Sequence, residues 1–303
     1  MAGRFPMPSL KIREQGRGAL RGFDACVDSL VPPGSGLSSS ASFEVLMAAM
    51  LSDSAGLELS PADMAKIGQF AENEYFGKPC GLMDQAASAV GGIVSIDFAD
   101  PAAPKVKRVD FDFREEGYEL VVVNTGGSHA DLTADYAAIP AEMRAVAAFL
   151  GADCLRSVEP GLLAARGPEI RAACGDRALL RALHFSAENE RVQRMVRALR
   201  DEDLKRYLKL VKKSGDSSWE LLQNVYPPSS PREQGLSLAL ALSANYLGKK
   251  GAWRVHGGGF AGTVQAFVPR RRLAGYVALM ERYFRAGSVI PVSIRPRGAL
   301  RVA

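Results

Sequence analysis

Cysteine is sparse in this chain, with four among 303 residues at positions 26, 80, 154 and 174, and no two are spaced as CxxC. That excludes a dense disulfide framework and a cysteine-based zinc site, and it suits reduced thiols in a cytoplasmic protein. Histidine is rarer still, three residues without HExxH or another metal-ligand spacing, so His129 and His184 read as structural. No run reaches the roughly 20 apolar residues needed to cross a bilayer, and no apolar core of the signal-peptide kind opens the chain. The first 22 residues are rich in arginine and poor in acid, as in a transit peptide, yet Gly22-Phe23-Asp24 continues as folded protein. Dense basic tracts are lacking too. The net charge of +5 is spread along the chain, the densest runs being Arg270-Arg271-Arg272 and Lys249-Lys250. Such a distribution excludes a nucleic-acid footprint and suits a small anionic ligand such as a nucleotide.

What is present is enough apolar residue, 47% of the chain, to bury one large or two medium cores, the expectation for a two-domain enzyme. Two prolines, Pro32 and Pro33, stop a short run ending at Val31. Phe43, Leu46, Met47, Met50 and Leu51 then recur at helical spacing and predict a buried helix from Ser39. Ser60-Pro61-Ala62-Asp63 predicts a capped second helix that turns Met64, Ile67, Phe70 and Ala71 inward and stops near Gly77. A short helix from Met83, ended by Gly91-Gly92, precedes a strand over 93–96, and a buried strand follows over 118–123. Beyond Asn124 the pattern becomes helical, over 139–150, 178–199, 202–212 and 234–247. It closes with a strand over 263–268, a helix over 273–284 and a strand over 289–294.

The strongest local signal is Pro33-Gly34-Ser35-Gly36-Leu37-Ser38-Ser39-Ser40-Ala41-Ser42, at the start of the buried helix. Glycines admit close backbone approach, the helix start offers unpaired N–H groups and positive dipole, and the hydroxyls add donors, a combination that suits phosphate. It lacks the lysine of a Walker A loop. Taken alone, such a turn is equally a flexible connection.

These residues resemble the second motif of the GHMP kinases, and Gly77-Lys78-Pro79-Cys80-Gly81-Leu82-Met83-Asp84-Gln85 is similar to the signature of the galactokinase branch of that family. The resemblance runs from about residue 20 to the end. It implies an α+β GHMP kinase fold with a truncated N-terminal domain, residues 1–127, and a helical, ferredoxin-like C-terminal domain, residues 128–303. It implies ATP phosphates held by Gly34, Ser35, Gly36, Leu37, Ser38, Ser39 and Ser40, magnesium held by Ser40 and Glu72, and Asp84 as the catalytic carboxylate with Gly81 against the sugar. Glu72 lies twelve residues before Asp84, as the family requires. Phosphoryl transfer needs such a set: hard oxygens for a cation, a polar cradle and a carboxylate orienting the attacking hydroxyl. Outside that context, Asp84 reads as a helix cap and Glu72 as a solvated side chain.

Two further segments carry the resemblance. Asn124-Thr125-Gly126-Gly127-Ser128-His129 through Asp135-Tyr136 implies a sugar contact at Tyr136, whose other reading is a core tyrosine. Gly257-Gly258-Gly259-Phe260-Ala261-Gly262 resembles the third motif and implies phosphate contacts at Gly258 and Gly259, although three glycines before a strand also make a tight turn. This motif departs from the family where His256 replaces Ser or Thr and Ala261 replaces a glycine. His256 reads as a hydrogen-bonded structural histidine.

The family's first motif has no counterpart here: neither Gly3-Arg4 nor Gly16-Arg17 is followed by Asn-Leu-Ile-Gly-Glu-His. The implied activity is ATP-dependent phosphorylation of D-galactose at its anomeric hydroxyl by a cytoplasmic, monomeric protein without nucleic-acid or membrane partners. A catalytically weak or inactive regulator binding ATP or sugar, and an incomplete fragment, are the alternatives.

Overall fold

The computed structural model describes residues 24–29, 31, 37–77, 80–100, 103–127 and 132–302. Expectations for residues 1–22, for Pro32, Pro33, Gly34, Ser35 and Gly36, and for Lys78, Pro79, Ser128 and His129 lie outside the described residues. The chain forms two compact units, one running to Asp110 and resuming at Ile294, the other spanning Phe111–Ser293. This division differs from the expected one at 127 and 128. The strand over Tyr118–Asn124 pairs on both edges with C-terminal strands, so it belongs to the second unit.

In the first unit, helix α1 (Ser39–Ser54) buries Ala41, Val45, Ala48 and Ser52 together with Glu44, Met47 and Leu51. Its inward face is thus rotated from the expected stripe, and Leu46 is 38% exposed. Polarity misled the reading at one residue, because Glu44 turns inward and accepts a hydrogen bond from Gln85. Helix α2 (Pro61–Phe70) starts as expected: the Ser60 hydroxyl accepts from Asp63 N at 3.1 Å and Pro61 occupies the first position. It buries Ala65, Ile67 and Gly68, then widens into a π-turn over Ala71–Tyr75. Gly68 allows close packing, since a Cβ there would stand 3.2 Å from Glu44 Cβ and 3.3 Å from Gln85 Cγ.

Helix α3 (Met83–Val90) and Leu82 just before it set Leu82, Ala86 and Ala89 against Val45 and Ala65 in a common core. Strand β1 (Ile93–Asp97) pairs antiparallel with β2 (Lys105–Val109), a strand the sequence reading did not include. The chain's last residues complete this unit. Gly92 N donates to Arg295 O at 2.7 Å, Ala299 packs against the core, and Arg301 Nη1 meets Asp53 Oδ1 at 3.0 Å. The contact depends on Gly298, where a Cβ would fall 1.9 Å from Ala89 O.

The second unit holds β3 (Tyr118–Asn124), then helices α4 (Thr133–Phe149), α5 (Pro160–Ala165), α6 (Gly167–Cys174), α7 (Asp176–Arg200) and α8 (Leu204–Ser217). A π-turn over Ser218–Leu222 leads to α9 (Gly235–Leu247), β4 (Ala252–Val255), β5 (Thr263–Pro269), α10 (Leu273–Phe284) and β6 (Val289–Val292). The sheet is antiparallel throughout, in the order β4-β5-β3-β6. The alternation of β3 and β5 packs Val121, Val123, Ala266 and Val268 against Tyr276 and Met280 of α10. Helix α4 starts before the expected Ile139 and carries Pro140 within it.

Candidate active site

Within the first unit, three helix starts or turns bring the sequence-predicted residues together. Ser38 precedes α1 in the left-handed region, at φ 57 and ψ 44, and makes no side-chain cap. Its hydroxyl donates instead to Asp84 Oδ2 at 2.6 Å. Asp84 stands exposed in the first turn of α3, where the N-terminal dipole favours a carboxylate. Ser39 O accepts from the Ser42 hydroxyl at 2.9 Å. The first turn of α1 contains no acidic residue, so its N–H groups present positive potential without internal competition.

Two residues beyond Ser38, Ser40 Oγ donates to Glu72 Oε1 at 3.1 Å. Glu72 is buried, and the π-turn that carries it is a local widening often found at functional sites. Its other oxygen, Oε2, accepts from Gln85 Nε2 at 3.0 Å. The Cys80 thiol lies 3.5 Å from the same amide nitrogen, and burial, then its contact with Glu72, pushes it up to about 11, so it stays protonated at neutral pH. Gly81 is exposed and a Cβ there would meet nothing within 4 Å, so packing does not require glycine at that position.

These donors fit a magnesium ion. Octahedral bonds of about 2.1 Å separate neighbouring ligands by about 3.0 Å, and the ion commonly takes one or two protein oxygens and completes its shell with water and phosphate. Ser40 Oγ and Glu72 Oε1, 3.1 Å apart, are two hard oxygens at that spacing. Among the described residues no cluster of three or more His, Cys, Asp or Glu side chains forms another candidate.

In the second unit, Tyr136 on α4 donates its hydroxyl to Gly259 O at 2.7 Å and meets the Phe260 ring edge-on at 5.2 Å. Burial pushes its phenol up to about 12, so it remains a donor at neutral pH. The glycine turn is tailored to these neighbours: a Cβ on Gly258 would fall 2.8 Å from Tyr136 Cε1, and one on Gly259, at φ +83, would fall 2.1 Å from Asn224 O. Asn224 binds the turn from below, its Nδ2 donating to Gly258 O at 2.9 Å and its carbonyl accepting from Phe260 N. Asn224 was missed by the sequence reading; its buried place after a left-handed Gln223 has no local sequence signature. His256 Nδ1 lies 3.1 Å from Gln265 Oε1, and His184 Nδ1 lies 2.9 Å from Ser217 Oγ.

Residues 9–92 match the family described as the GHMP kinases N terminal domain. The fold agrees: the crystal structure of Lactococcus lactis galactokinase complexed with galactose superposes with a TM-score of 0.77 at 20% identity, covering 98% of this chain and 75% of that one. The L. major mevalonate kinase in complex with R-mevalonate superposes with a TM-score of 0.57 at 18% identity, covering 89% and 69%. The fold is therefore the α+β fold of the GHMP kinases. Sequence narrows it further. The galactokinase of Streptomyces coelicolor is 34% identical over 280 residues, 92% of this chain and 69% of that protein. The galactokinase of Actinobacillus pleuropneumoniae serotype 3 is 32% identical over 253 residues, 84% of this chain and 63% of that protein. The chain belongs to the galactokinase family, and it spans a little under two thirds of the length of several curated relatives. No helix among the described residues is long and apolar enough to cross a membrane.

Proposed function

We propose that the chain takes part in ATP-dependent phosphorylation of D-galactose at its anomeric hydroxyl, giving galactose 1-phosphate, in the cytoplasm. The observation that carries this reading is the pair of contacts at the start of α1: Ser38 to Asp84 and, two residues on, Ser40 to Glu72. A group that can receive a proton and a pair of hard oxygens thus flank one phosphate-binding helix terminus.

GHMP kinases use ATP and Mg2+. In the proposed roles, Gly34, Ser35, Gly36, Leu37, Ser38 and Ser39 cradle the nucleotide phosphates, and within the second unit Gly258 and Gly259 offer backbone for phosphate contact. Ser40 and Glu72 hold magnesium, which when bound neutralises charge on the phosphate oxygens. Asp84 orients the sugar hydroxyl and accepts its proton, and the Ser38 hydrogen bond keeps that carboxylate in one rotamer. Gly81 leaves open space for the sugar. Tyr136 receives a hydrogen bond from a sugar hydroxyl on its oxygen while donating to Gly259.

The test is coupled measurement of ADP release. Turnover should require galactose and disappear in Asp84→Ala; galactose-independent turnover would remove the reading.

A further inference from the structure

We infer that Gln85, together with Glu44 behind it, is a positioning residue for the divalent cation. This inference rests on the proposed nucleotide and metal site. Three side chains that ordinarily face water are buried at the junction of α1, the π-turn and α3: Glu44 at 7%, Glu72 at 4% and Gln85 at 1% exposure. The Gln85 amide nitrogen lies 3.1 Å from Glu44 Oε2 and 3.0 Å from Glu72 Oε2, so its two N–H bonds point to two separate carboxylates. Chemistry fixes this orientation. A flipped amide would press its oxygen against both carboxylates, and in the orientation adopted Oε1 is buried without a hydrogen-bond partner among the described residues.

A buried amide oxygen left unpaired is unfavourable, and the structure tolerates it where the amide does something a hydrocarbon cannot. Here it holds one oxygen of Glu72 and thereby sets the other, Oε1, against Ser40. A ligating carboxylate is commonly held in this way by a partner behind it, which fixes its direction before the cation arrives. Glu44 supplies the second anchor that keeps the amide from rotating. Gln85 also follows Asp84 directly in α3, so one short helix presents the exposed carboxylate on one face and the support for Glu72 on another. The glycine at position 68 completes the arrangement by leaving room for the stems of both Glu44 and Gln85.

The experiment compares ADP affinity with Mn2+ present and with EDTA, by calorimetry on the full chain. The ratio is the metal-dependent gain, a quantity that a purely structural role would leave unchanged. Gln85→Met keeps the side-chain length without a donor. Gln85→Asn keeps a polar amide one methylene too short to bridge both carboxylates, and covers the case in which the methionine variant does not fold. Each is expected to reduce the gain about tenfold or more while metal-free ADP affinity and the far-UV spectrum are retained. An undiminished gain in a folded variant overturns the role of Gln85 alone. A wild-type chain that binds ADP equally with and without Mn2+ overturns the nucleotide and metal reading, and this inference with it.

Discussion

The Ser38 hydroxyl donates to Asp84 Oδ2 at 2.6 Å, although Ser38 stands where a serine would ordinarily cap the helix that follows it. The cap is forgone and the backbone is held at φ 57, a conformation that a residue with a side chain adopts at some cost. Ser38→Gly relieves that conformation and removes the hold on Asp84. Its thermal midpoint should be no lower than that of the wild type while kcat/KM falls, measured by calorimetry and by coupled ADP release.

Asp84→Asn preserves the shape of the side chain but cannot take up a proton. The proposed chemistry predicts a loss of kcat of about a hundredfold or more. Because Asp84 is exposed and its contact is with a hydroxyl, the melting curve should scarcely move. A variant that retains wild-type turnover would exclude Asp84 as the base.

The two glycine sites separate packing from function. Gly259→Ala places a Cβ at a positive φ and 2.1 Å from Asn224 O, and should cost about 3 kcal/mol or more in chemical denaturation. Gly81→Ala meets no neighbour within 4 Å and should change stability by less than about 0.5 kcal/mol. If Gly81 faces the sugar, the same variant raises the KM for galactose.

Tyr136→Phe deletes the hydrogen bond to Gly259 O and should destabilise the chain by about 1 kcal/mol. The proposed sugar contact adds an increase in galactose KM with little change in the KM for ATP, read from initial rates.

His184 provides a pH prediction. Burial, then the positive charge of Arg254, lowers its folded value to about 4 from an ordinary 6.5. Between those values the unfolded chain binds the extra proton, so the contribution to stability is complete above pH 6.5 and is lost as pH falls toward 4. The full difference is about 3 kcal/mol. Urea midpoints at pH 7 and pH 4.5 should differ more in wild type than in His184→Gln.

Much of this was legible in sequence where a local rule dominates. Ser60-Pro61 with Asp63 gave the start of α2, the apolar run within 118–123 gave β3, which extends to Asn124, and Met83 opened α3 as expected. The site residues Ser38, Ser40, Glu72 and Asp84 could be nominated because a motif kept them at fixed spacing. Less legible was the inward turn of Glu44 and Gln85, since polarity places such residues in water until partners are known. The same holds for Asn224, which earns its position only by reaching Gly258 and Phe260.

The sequence by itself determined the helices at Ser39, Pro61, Met83 and Leu273 and the strands at Ile93, Tyr118, Thr263 and Val289, the glycine and serine chemistry at the start of α1, and the family to which the residues point. Periodicity, capping and close backbone approach act over a few residues and leave their mark in the order of the chain. Only the tertiary structure decided that β3 joins the C-terminal sheet, that the last residues return to the first unit, and that one amide holds two buried carboxylates. Those outcomes depend on hydrogen bonds and packing between residues far apart in the chain, whose pairing is selected by burial in the folded whole.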